Sequence, residues 1–268
     1  AARDSHGFKP LVLGTLDHGF VVASESCAFR PIGARYLRDI EPGELVTINR
    51  HGVASYRFAE PAAHGAQCVF ELVYFARPDS QVFGHNVHQV RVRYGMRLAQ
   101  EHPVEADVVI PIPDSGMSAA IGYSRASGIP LDMGFIRNHY IGRTFIMPEA
   151  GKRATGADRK LSVLPETVAG RRVVVVDDSI VRGNTARKRI ALLRECGATE
   201  VHVRISCPPT RHPCFYGIDF ATSEELLAAG RGVDEIRGSI GADSLGYLSE
   251  EGLLEPFGAD GPRFCRAC

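Results

Sequence analysis

Four consecutive valines, Val173 to Val176, followed at once by Asp177 and Asp178, constrain the fold of this chain more than any other feature. β-Branched side chains favour extended backbone. An apolar run without alternation suits a strand covered on both faces, as in the middle of a parallel sheet. Ser179-Ile180-Val181-Arg182-Gly183 then leads into a helical pattern from about Asn184 to Cys196, with Ala186, Ile190 and Leu193 on one face and Gly197 as its stop. Doubly wound sheets repeat this strand–turn–helix unit, and ligands bind at their carboxyl edge.

The same rhythm extends along the chain. Val90 to Ala99 predicts a helix, Ala106 to Ile110 a buried strand, Met117 to Ala126 a helix stopped by Gly128 and Pro130, and Val201 to Ile205 another strand. The fold class is therefore α/β, a mainly parallel sheet with helices on both faces. Residues 1–60 differ: Leu11 to Gly14, Gly19 to Ala23 and Glu44 to Ile48 are short strand-like runs between turn residues. The breaker-rich stretch Glu60 to Gly65 predicts a boundary, giving a β-rich domain over 1–62 and an α/β domain over 63–268. So short a β-rich segment would have a poor core by itself, so it reads as the last part of a longer domain. A polar stretch from Arg143 to Ala169 interrupts the strand–helix rhythm.

Lys plus Arg and Asp plus Glu both number 31, so net charge is about zero and gives no bulk drive toward nucleic acid or an anionic membrane. An anionic ligand must be held by a local site. No apolar run approaches the roughly 18 residues of a membrane span, and the first residues lack a secretion signal. A soluble cytoplasmic protein is expected. Seven cysteines, an odd number, are too few for a disulfide scaffold at this length.

A turn that opens a helix aims backbone N–H groups at one point beside the positive end of the helix dipole, which makes an anion site. Adjacent aspartates would repel a phosphate unless they face sugar hydroxyls or water on Mg²⁺. The expected ligand therefore carries a phosphate and a diol close together, as ribose 5-phosphate does. A second candidate anion loop, Pro113-Asp114-Ser115-Gly116-Met117-Ser118, follows the strand ending at Ile110 and also opens a helix.

The segment Val173 to Thr185 resembles the 5-phosphoribosyl-1-pyrophosphate (PRPP) signature of type I phosphoribosyltransferases. The resemblance implies that Asp177 and Asp178 hold ribose hydroxyls and the hydration shell of Mg²⁺. It implies that Ser179, Ile180, Val181, Arg182, Gly183, Asn184 and Thr185 cradle the 5-phosphate. Ser115 and Gly116 would receive the pyrophosphate, with Ser115 near Mg²⁺. Ala2 to Gly14, Ala23 to Cys27, Phe70 to Ser80, Gly134 to Pro148 and Tyr216 to Asp219 further resemble the glutamine PRPP amidotransferase family.

That family replaces the pyrophosphate of PRPP by ammonia from glutamine, the first committed step of purine synthesis. The resemblance implies a homotetramer inhibited by purine nucleotides, and a lid over C1 carrying Arg143, Lys152, Arg153, Arg159 and Lys160. In the family an N-terminal-nucleophile glutaminase domain, of which the β-rich residues 1–62 resemble the C-terminal part, hydrolyses glutamine with a cysteine at the mature N-terminus, its own amino group as base. Here residue 1 is alanine and the first cysteine is Cys27, read as structural. No residue can be assigned to glutamine hydrolysis, and use of free ammonia is expected.

Four cysteines that include one CxxC pair suit either a tetrahedral zinc site or a [4Fe–4S] cluster. Cys68, Cys214, Cys265 and Cys268 match the arrangement of the cluster-bearing members of the family, which implies a structural [4Fe–4S] cluster. Cys196 and Cys207 read as core. Two rivals remain from the residues alone: another PRPP-dependent transferase, such as a purine-salvage enzyme, and a non-catalytic PRPP sensor.

Overall fold

The computed structural model describes residues 1–137, 161–218 and 222–268. It divides into two compact units. The first comprises Ala1–Arg91, Cys214–Asp219 and Leu254–Cys268; the second comprises Val92–Pro213 and Phe220–Leu253.

The first unit is built on short strands. β1 (Val12–Leu16) pairs antiparallel with β2 (Gly19–Ala23) and β3 (Arg35–Asp39), and β4 (Glu44–Asn49) forms a hairpin with β5 (Gly52–Arg57). Leu13, Ile40 and Val46 form one small buried cluster in this unit, with Leu11, Phe20, Val22 and Val53 packed against them. A bidentate ion pair supports the hairpin: Arg38 Nη2 and Nη1 donate to the two Glu44 carboxylate oxygens at 2.6 and 2.9 Å. The Glu41 N–H adds a bond of 2.7 Å. Through the Arg38 bonds the Glu44 carboxyl is held down at about 2. β6 (Gln67–Cys68) belongs to this unit, as do the paired strands β7 (Gln81–Val82) and β8 (His85–Asn86).

The second unit carries the parallel sheet. Helix α1 (Val87–Glu101) leads to β9 (Val108–Pro111), and α2 (Met117–Ser127) follows. The sheet order is β14-β13-β12-β9, with β12 (Arg172–Asp177), β13 (Glu200–Ile205) and β14 (Ser244–Tyr247) all parallel. β12 is internal, pairing with β13 on one side and β9 on the other, and Val173 to Val176 are at most 4% exposed. Burying each such side chain contributes about 1.5–3 kcal/mol, which explains an unalternated valine run in this position. Helix α4 (Asn184–Glu195) packs on β13, α5 (Val233–Ile240) on β14, and α2 on β9 and β12.

Part of the polar stretch over 143–169 is regular, contrary to expectation. Phe135–Arg137 (β10) pairs antiparallel with Leu161–Val163 (β11), and Pro165–Val168 forms one helical turn, α3. Val168 is fully buried and Pro165 takes the first helical position, where its missing N–H costs nothing. The C-terminal segment adds α6 (Glu250–Leu254) and β15 (Phe264–Cys265). Among the described residues no helix is long and apolar enough to cross a membrane.

Candidate functional site

The carboxyl end of β12 delivers Asp177 and Asp178 into a nearly closed environment, 8% and 5% exposed. Asp177 Oδ1 accepts the Asp178 N–H at 3.0 Å and the Ser115 hydroxyl at 3.5 Å. Asp178 Oδ2 accepts the Ser179 hydroxyl at 2.6 Å. Thus β12 and the loop after β9 bring together the two stretches singled out by sequence. Burial pushes the Asp177 carboxyl well above the usual carboxylate range, its neighbour Asp178 adds to this, and Arg189 opposes it.

Asp177 is expected to face sugar hydroxyls or water on Mg²⁺; in the structure Arg189 Nη1 also donates to its Oδ2 at 2.9 Å. The reason is electrostatic: two adjacent buried carboxylates need a compensating cation. Sequence reading missed Arg189, though a signal existed. Ala186, Ile190 and Leu193 mark the inward face of α4, and Arg189 is three residues from Ala186 and four from Leu193.

Ser179 to Gly183 form an irregular turn, and Gly183 at φ +77° precedes the first residue of α4. The backbone N–H groups of Ser179 to Thr185 have no acceptor among the described residues. Seven free amides beside a helix N-terminus are what an anion site requires. The turn is braced from behind: the Leu227 N–H bonds the Val181 carbonyl at 2.8 Å, and Arg182 pairs with Glu225 at 2.7 Å. Asn184 and Thr185 are exposed, while Ile180 is buried and anchors the turn.

The second loop is equally fixed. The Ile112 N–H bonds the Val176 carbonyl at 2.9 Å, and the Gly116 N–H bonds the Ile112 carbonyl at 2.9 Å. A Cβ on Gly116 would lie 2.3 Å from the Val176 carbonyl oxygen, so only glycine fits against the end of β12. Arg137 on β10 pairs with Asp114 at 2.9 Å, another contact that sequence reasoning did not find. The expected lid residues Arg143, Lys152, Arg153, Arg159 and Lys160 lie outside the described residues.

Residues 91–214 match the phosphoribosyl transferase domain family. The matched stretch contains both anion loops. The parallel sheet with its flanking helices is the type I phosphoribosyltransferase fold. It is 54% identical over 257 residues to amidophosphoribosyltransferase of Bacillus subtilis (strain 168), covering 96% of this chain and 54% of that protein. The Synechococcus elongatus amidophosphoribosyltransferase is 52% identical over 270 residues, covering 99% and 55%. Among solved structures, glutamine phosphoribosylpyrophosphate amidotransferase from B. subtilis complexed with ADP and GMP superposes with a TM-score of 0.90 at 52% identity. That match covers 100% of this chain and 59% of that one. The chain spans about half the length of the curated relatives it matches.

The four singled-out cysteines lie together in the first unit. β15 pairs with β6 in parallel, which sets Cys265 opposite Cys68. The Cys68 N–H bonds the Phe8 carbonyl at 2.9 Å, and the Phe8 ring stacks on Tyr216 at 4.4 Å. The Tyr216 N–H in turn donates to Cys214 Sγ at 3.3 Å. Burial pushes the Cys68 and Cys268 thiols up to about 11, and Cys214 and Cys265 add to the effect at Cys268. Lys9, bonded to Glu71 at 2.8 Å, faces Cys68 and Cys214.

Among the described residues no three His, Cys, Asp or Glu side chains are grouped to hold a single metal ion. Cys207 is buried as expected; Cys196, at the end of α4, is only half-buried. Cys27 Sγ faces Glu25, whose carboxylate also accepts the Ser80 hydroxyl and the Arg77 N–H, an arrangement that ties a surface turn together.

Proposed function

We propose that the chain carries the transferase half of a reaction in which ammonia replaces the pyrophosphate of PRPP to give 5-phosphoribosylamine. Glutamine is the ammonia source in the complete enzyme. The observation that carries this reading is the juxtaposition of seven unsatisfied amides, from Ser179 to Thr185, with the Asp177–Asp178 pair and Ser115. The amides hold the 5-phosphate, the aspartates accept from the ribose hydroxyls, and the Ser115–Gly116 loop receives the pyrophosphate. C1 gains positive character as the bond to pyrophosphate loosens, so fixed donors must already face the leaving oxygens. The lid, proposed over Arg143 to Lys160, would exclude water from C1.

The donor set at Ser115, Asp177 and Asp178 is all oxygen, which fits Mg²⁺ held by one or two carboxylates plus substrate phosphates. The ion when bound offsets negative charge on the leaving group. Cys68, Cys214, Cys265 and Cys268 would hold a [4Fe–4S] cluster rather than zinc. A tetrahedral zinc site needs four sulfurs within roughly 2.3 Å of one point, whereas a four-iron cluster spreads its thiolates over a larger body. Such a cluster would tie β15 and the 214–216 turn to β6, a structural role.

The domain boundary is proposed at 62/63. The complete protein is proposed to be a cytoplasmic homotetramer inhibited by purine nucleotides. The solved B. subtilis relative is complexed with ADP and GMP, which supports the inhibitor class.

Mixing the chain with PRPP, Mg²⁺ and ammonium and measuring pyrophosphate tests the reading. Release that depends on ammonium is expected. Release that instead depends on a nucleobase would favour a salvage transferase, and PRPP binding without release would favour a sensor; either would overturn it.

A further inference from the structure

Arg189 is placed at the candidate site in a way its own hydrogen bonding does not explain. Its guanidinium has five N–H donors in one plane. One of them, Nε, is buried without an acceptor among the described residues. Leaving a buried donor unsatisfied is costly, so something else fixes the side chain. Its ion pair among the described residues is with Asp177, at 2.9 Å between partners 23% and 12% exposed.

The two oxygens of Asp177 are treated differently. Oδ2 is occupied by Arg189, from the α4 side. Oδ1 meets the Asp178 N–H and, at the outer limit of bonding, the Ser115 hydroxyl. Oδ1 therefore lies between the phosphate cradle and the second loop. The last torsion of an aspartate is broad and soft, so a carboxylate without a partner at Oδ2 has no fixed plane. Asp178 and Ser115 face the Oδ1 side, and among the described residues the cation on the other side comes from α4.

We propose that Arg189 is a positioning residue for PRPP: by holding Oδ2 it fixes the plane of the Asp177 carboxylate and presents Oδ1 to a ribose hydroxyl. This rests on the PRPP reading above. Arg189 itself does not touch the sugar; it acts through Asp177. A second role, general attraction for an anionic ligand, predicts a different result and is separated by the test.

The test is a binding cycle on the full chain by calorimetry, using PRPP and its 2-deoxy and 3-deoxy ribose analogues with the wild type, Arg189→Met, Asp177→Asn and the double variant. Arg189→Met is expected to weaken PRPP binding about tenfold or more, the value of one hydrogen bond to a charged group. It should weaken the analogue that lacks the hydroxyl facing Asp177 much less. Asp177→Asn should add little in the Arg189→Met background, because both act through one bond. Arg189→Lys keeps the charge but loses the planar fork and should fall between.

Equal losses for PRPP and both deoxy analogues would overturn the proposal in favour of general attraction. Multiplying effects of the two substitutions would also overturn it. If Arg189→Met does not fold, Arg189→Lys against the same three ligands gives the same reading. A wild type that binds no PRPP at all would sink the parent reading, and this proposal with it.

Discussion

Replacing Gly183 by alanine isolates the backbone requirement of the cradle. Gly183 sits at φ +77° and ψ −18°, a conformation that costs an L-residue roughly 1–2 kcal/mol. The added Cβ would also lie 2.5 Å from Leu227 Cδ2 and 3.4 Å from its Cγ. The shorter distance is about 1 Å inside ordinary carbon–carbon contact. Leu227 is 6% exposed and its N–H is fixed on the Val181 carbonyl. It can yield only by rotating its side chain, and overpacking of this kind costs about 1–3 kcal/mol. Together the two effects oppose the observed turn by roughly 2–5 kcal/mol.

The cost appears in one of two places. If the turn is held by its surroundings, stability falls; if it relaxes, PRPP affinity falls, tenfold for about each 1.4 kcal/mol. Thermal unfolding and calorimetric titration with PRPP are therefore measured on the same variant. Gly183→Ala with Leu227→Ala removes the clash and leaves the strain, so it should recover part of the lost affinity. An alanine variant that matches the wild type in both unfolding temperature and PRPP affinity would refute the assignment of these amides to the ligand.

Two further outcomes are expected. Glu44, held at about 2 from an ordinary 4.5 mainly by Arg38, stabilises the fold above the higher value, and that contribution disappears as pH falls through the lower one. Its upper limit is about 3 kcal/mol, because solvent reaches the Arg38 side of the pair and screens it. The stability gap between wild type and Glu44→Gln in urea titrations should be full at neutral pH and vanish between about 4.5 and 2; a constant gap would disprove the linkage. Anaerobic reconstitution with iron and sulfide should give a brown chromophore with about four irons per chain. Cys268→Ser should lose most of it, and a colourless wild type with no iron would rule the cluster out.

Much of the sheet was legible because its strands are bounded by turn residues and its helices by spacing. β2 and the start of α2 fall where the pattern puts them, and the other sheet elements differ by a few residues at their ends. β3, β5 and β14 were not picked out. Their residues are mixed, as in Arg35-Tyr36-Leu37-Arg38-Asp39, and pairing rather than hydrophobic pattern makes them strands. β11 escaped notice for a related reason: three residues in a polar stretch become a strand only because Phe135–Arg137 lies beside them.

At the site, the residues read from a motif are close together in space: Ser115 meets Asp177 although 62 positions apart. What sequence did not reveal was their support. Leu227 and Glu225 act from behind the cradle with no linear signal to mark them, and Arg189 is signalled only by its spacing from the inward face of α4.

The support changes how ligand charge must be handled. Three arginines beside the two loops are already engaged by carboxylates: Arg137 by Asp114, Arg182 by Glu225 and Arg189 by Asp177. Under the proposed reading the cradle would meet a phosphate with main-chain amides and the helix terminus, equivalent to about half a positive charge. This resolves the apparent conflict between an anion site and two aspartates. Arg189 compensates Asp177 from the rear, which would reduce the pair's field at a bound phosphate and leave Oδ1 available as an acceptor. A chain of zero net charge can hold a strongly anionic ligand in this way, because donors fixed before the ligand arrives need no reorganisation when it binds.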